Sequence, residues 1–76
     1  MLKLATILES LKEQPRQLTD EENLYLSELG DELRRANSDA ARWRILEREG
    51  LTRLDGFAFS DDVLAKLSDV RRAAMN

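Results

Sequence analysis

Apolar residues recur at helical spacing in four stretches of this chain, and residues that start or stop helices bound each stretch. Met1, Leu4, Leu8 and Leu11 follow one another at intervals of three, four and three, with Ile7 flanking them, which predicts a helix over residues 2–14. Pro15 ends it, because its ring removes a backbone donor and disfavours helical geometry in the residue before it. After a short link, Thr19-Asp20-Glu21-Glu22 makes a capping box, in which Thr19 accepts from the Glu22 amide and the Glu22 carboxylate reaches back. The second helix starts there. Leu26, Leu29, Leu33 and Ala36 form its inward stripe, Leu24 and Tyr25 lie to one side, and Gly30 offers a place for another backbone to approach.

Asn37-Ser38-Asp39 breaks the pattern and supplies a new start, with Ser38 as cap and Asp39 near the positive helix end. A third helix over 39–49 follows, with Trp43 and Leu46 on one side and Arg44 and Arg48 near the other. Gly50 suits the left-handed position just past its end, and Leu46 and Leu51 are spaced to make the accompanying apolar contact. Asp55-Gly56 then fits a two-residue hairpin turn, the alternative being an irregular apolar loop that only plugs the core. Pairing Leu54 with Phe57 and Thr52 with Phe59 puts those four on one face, and Arg53 and Ala58 on the other. Ser60 is the expected cap of a fourth helix, with Asp61 and Asp62 in its first turn and a staple between Phe59 and Leu64. Val63, Leu67, Val70 and Ala74 form its stripe, and fraying is expected after Arg72. The expectation is a mainly α, compact four-helix single domain over residues 1–76, with a short β-hairpin between helices 3 and 4.

Composition narrows the function classes. Seventy-six residues, 42% hydrophobic and 36% charged, make one domain with a thin core. A homodimer would thicken that core. The apolar start is interrupted by Lys3 and closed by Glu9, too short for a signal peptide or membrane span, so a cytoplasmic protein without membrane association is expected. With neither cysteine nor histidine, disulfides, thiolate metal sites and His-based triads are excluded. Most of the clustered acids, Asp20 to Glu22, Asp39, Asp61 and Asp62, sit at helix starts, where capping and the helix dipole account for them. No phosphate-binding glycine loop or calcium-loop spacing occurs. The chain is therefore expected not to be an enzyme and to need no cofactor.

The net charge of −3 hides an asymmetry. Residues 1–33 carry three basic and eight acidic side chains, whereas residues 34–53 carry six arginines against Asp39, Glu47 and Glu49. Arginine is the residue best suited to phosphate and base-edge contacts. Arg44 and Arg48, four apart, also repel on an isolated helix, which hints at an anionic partner.

In order and spacing, Leu29 to Leu51 resembles the helix-turn-helix part of winged-helix DNA-binding domains, with Leu29 and Leu33 facing inward. Ile45-Leu46-Glu47-Arg48-Glu49-Gly50-Leu51 then leads to the wing-like hairpin. The resemblance covers about half the chain. It implies a recognition helix at 39–49 in the major groove, contacts to duplex DNA from Arg42, Arg44 and Arg48, phosphate contacts from Arg34 and Arg35, and Arg53 at the wing base. The expected function is thus a small regulatory nucleic-acid binder. The alternative is a helical protein-binding module, an adaptor or inhibitor of a larger complex such as phages and other mobile elements encode. Tyr25 and Trp43, residue types enriched at interface hot spots, are its candidate contacts.

Overall fold

The computed structural model describes residues 2–75, without the side chains of Ala74 and Met75. It contains four helices: α1 (Leu4–Glu13), α2 (Asp20–Arg35), α3 (Asp39–Arg48) and α4 (Ser60–Met75). Met1 and the Ala74 side chain, expected in the first and fourth stripes, lie outside the described residues.

The local signals act largely as their chemistry dictates. Gln14, before Pro15, is extended at φ −143° and ends α1. Thr19 Oγ1 accepts from the Glu22 N–H at 3.1 Å while Glu22 Oε1 accepts from the Thr19 N–H at 3.0 Å, so the capping box is complete. Ser38 Oγ accepts from Ala41 N–H at 3.1 Å and starts α3. At the end of α3, Gly50 sits at φ 85°, its N–H donates to the Glu47 carbonyl, and Leu51 N–H donates to the Leu46 carbonyl. These two bonds make a Schellman stop, which folds Leu51 back so that it is buried with Leu46.

The segment between α3 and α4 corrects the sequence-based expectation. Among the described residues there is no β-strand, so the hairpin and the winged-helix fold are not present. The cause is local. A type I′ turn needs positive φ at both central residues, and here Gly56 has it (φ 91°) while Asp55 does not. The Asp55 carboxylate instead turns back to accept from the Thr52 N–H at 2.7 Å and the Thr52 hydroxyl at 3.2 Å. Asp55 N–H donates to the Thr52 carbonyl, and Leu54 N–H donates to Thr52 Oγ1. Side-chain bonds thus occupy the donors that a strand ladder would have used. Thr52, Leu54 and Phe59 do not form a buried face with Phe57: Leu54 is 95% exposed and Phe59 64%.

The start of α4 also differs. Ser60 does not cap it, because its hydroxyl donates to Asp39 Oδ1 at 2.6 Å. Asp62 Oδ2 accepts from the N–H groups of Ala58 and Phe59 instead, which moves the start back by one residue. At the other end α4 continues past Arg72 to Met75.

Leu4 and Ile7 of α1, Leu26, Leu29 and Leu33 of α2, Trp43 and Leu46 of α3, Leu51, and Val63 and Leu67 of α4 form one core. α4 packs against both α2 and α3. Gly30 shows no close backbone approach among the described residues: the three atoms nearest an added Cβ all belong to the Arg34 side chain, the first at 3.4 Å. Gly50 does serve close approach: a Cβ there would stand 3.0 Å from that of Ala5, so α1 rests directly on the α3 stop.

Candidate functional site

Most of the arginines expected to meet nucleic acid are engaged within the chain. Arg48 grips Glu32 with both terminal nitrogens, at 3.1 and 3.0 Å, and its Nε reaches Glu49 at 3.3 Å. The Glu32 bond pushes the Arg48 pKa up and holds the Glu32 carboxyl below its ordinary range. Arg42 Nε donates to the Leu33 carbonyl at 3.3 Å, satisfying an end group of α2, and its Nη1 lies 3.4 Å from Asp61. Arg34 pairs with Asp31 on the surface, and Arg53 lies 3.7 Å from Asp39 and 5.5 Å above the centre of the Trp43 ring. Arg35 and Arg44 are exposed and enter none of the ion pairs among the described residues.

The two aromatic candidates are structural in their placement. Trp43 is 2% exposed, and its indole N–H has no partner among the described residues, so its surface is spent on the core. Tyr25 is half-buried, and its hydroxyl donates to Glu49 Oε1. Burial, then that bond, pushes the phenol pKa up.

Glu49 is the residue that sequence reasoning passed over. Its carboxylate also accepts from Leu4 N–H at 3.1 Å, and its carbonyl accepts from Ala5 N–H at 3.1 Å. Lys3, at the cap position of α1, makes no side-chain cap bond, so the end of α3 caps α1 from 45 residues away. No local pattern announces such a contact. Asp39 acts similarly between α3 and α4: the Ser60 hydroxyl, then its N–H, holds the Asp39 carboxyl below its ordinary range.

An apolar surface not spent on internal contacts lies elsewhere. Leu8 and Leu11 of α1, Leu51, Phe57 and Val70 of α4 line an open groove of about 780 Å³. Glu9, Lys12, Glu13, Asp55 and Lys66 rim it, with charges of both signs. Beside it, the self-bonded turn Thr52–Asp55 holds Leu54 out in solvent. The sequence did carry a signal for this groove. α1 has four apolar residues at inward-looking positions, yet Leu4 and Ile7 supply its buried contacts, which leaves Leu8 and Leu11 half-buried.

Among the described residues no group of three or more acidic side chains is arranged to hold a metal ion. No helix among them is long and apolar enough to cross a membrane. Comparison with protein-family models, with curated proteins and with solved structures finds no match.

Proposed function

We propose that this protein is a non-enzymatic protein-binding module, and that its recognition surface is the groove between α1, residues 51–57 and α4. The observation that carries the reading is the apolar groove beside an almost fully exposed Leu54 on a preformed turn. Preorganisation matters because ordering a loop on binding costs free energy that this turn has already met in folding. The partner it suits is a protein that inserts large apolar side chains between rim charges of both signs. A further observation weighs against the nucleic-acid alternative. Arg34, Arg42, Arg48 and Arg53 each face a carboxylate of the same chain, and binding DNA would have to replace those contacts.

In-cell crosslinking tests the proposal, with a photoreactive phenylalanine analogue in place of Phe57. A discrete protein adduct is expected, insensitive to nuclease and lost when Val70→Asp places a charge in the groove. A nuclease-sensitive adduct, or a steep salt-dependent mobility shift of duplex DNA abolished by Arg35→Ala and Arg44→Ala, would overturn it in favour of nucleic acid.

A further inference from the structure

We infer that the groove takes a second copy of this chain: Leu54 of each protomer enters the groove of the other across a two-fold axis. This rests on the reading of the groove as the recognition surface, and it names the occupant. A two-fold interface brings one patch against itself, so the patch must carry both a projection and the recess that receives it. This face carries both. Leu54 is 95% exposed, and its neighbours in the chain, Leu51, Asp55 and Phe57, line the recess. Hydrogen bonds from Thr52 to the Asp55 carboxylate fix the turn that presents it, so little freedom is lost on insertion.

Charge argues the same way. A rim of one sign would repel its own copy, whereas this rim has Lys12 and Lys66 among three carboxylates, so each copy offers both partners of an ion pair. The ten residues that line the groove, together with Leu54, make a patch smaller than the roughly 20–30 residues a side of a standard interface, which suits a dimer that forms only at high protein concentration. For a chain of 76 residues, covering this face also adds apolar burial to a thin core.

The test is sedimentation equilibrium from micromolar to millimolar protein. The mass of the wild type is expected to rise from 8.7 kDa toward twice that value. Leu54→Asp, at a position that contributes nothing to the core, should weaken association roughly a thousand-fold, since two leucine side chains lose their burial. Val70→Asp should do the same from the groove side. An equimolar mixture of the two variants should associate more tightly than either alone, because only the mixed pair keeps one intact leucine-in-groove contact. Leu11→Gln replaces Val70→Asp if circular dichroism finds that variant unfolded. A wild type monomeric at millimolar concentration, a Leu54→Asp protein that still dimerises, or a mixture no tighter than its components would overturn the inference. If the wild type is monomeric but the crosslink through position 57 still depends on Val70, self-association alone falls. If that crosslink is absent as well, both readings fall.

Discussion

Replacing Glu49 with alanine should remove most of the stability of the domain, although Glu49 lies at a helix end and outside the apolar core. Its side chain is 5% exposed and holds three donors: Leu4 N–H, the Tyr25 hydroxyl and Arg48 Nε. Loss of a helix N-cap costs about 1 kcal/mol. A buried hydrogen bond to a charged group is worth about 1.5–3 kcal/mol, and here the Tyr25 hydroxyl would lose its acceptor. The sum is about 3 kcal/mol, against roughly 3–5 kcal/mol available to a single core of this size. α1, ten residues long, is too short to persist as a helix without its docking. Urea unfolding followed by fluorescence of the single, buried Trp43 measures the loss, and the melting temperature should fall by roughly 12–24 °C. Glu49→Gln keeps an acceptor for Leu4 N–H and should cost about half as much. Hydrogen exchange should quicken at Leu4 more than at Ala5, whose bond to the residue 49 carbonyl survives the substitution. A Glu49→Ala protein within about 0.5 kcal/mol of wild type, the range of ordinary surface substitutions, would refute the reasoning.

Arg16 grips Glu22 at 2.7 and 2.8 Å and, with the Thr19 amide, holds its carboxyl down at about 2. A depressed carboxyl pKa stabilises the fold above its unfolded value and stops doing so as pH falls through its folded value. Stability should therefore decline between about pH 5 and pH 2, and Glu22→Gln should flatten that part of an acid-unfolding curve; an unchanged curve would count against the pair. Gly50→Ala should destabilise by about 1–2 kcal/mol from left-handed backbone strain, with more from the Ala5 contact, measured by thermal unfolding. Gly30→Ala should stabilise by about 0.5–1 kcal/mol in the same assay, because only the mobile end of Arg34 lies near the added methyl.

The parts of this fold that were legible in the sequence are those written in neighbouring residues. The Thr19 capping box, the Ser38 cap and the Gly50 stop each involve groups within five positions of one another, and all three form. Asp55-Gly56 was local too, yet it has two outcomes. The same aspartate that suits a hairpin turn can bond backward to Thr52, and here no flanking strand competes with that bond. Ser60 looked like a cap because nothing nearby discloses Asp39, 21 residues away, which takes its hydroxyl. The arginine cluster was visible, but its pairing was not: Glu32 lies 16 residues from Arg48, and Asp61 lies 19 from Arg42. The groove was half legible, since its α1 wall is the apolar stripe itself, turned so that Ile7 is buried in the core while Leu8 and Leu11 pack against its edge, half-buried.

Hydrogen exchange of the protein in its associated state tests the central claim most directly, whether that state is reached by concentration or by capture through position 57. Slowed exchange is predicted in residues 8–13, 51–59 and 66–70, with the outer face of α3 around Arg44 unchanged. Protection centred on Arg35 and Arg44, with the groove segments exchanging as in the free protein, would contradict it.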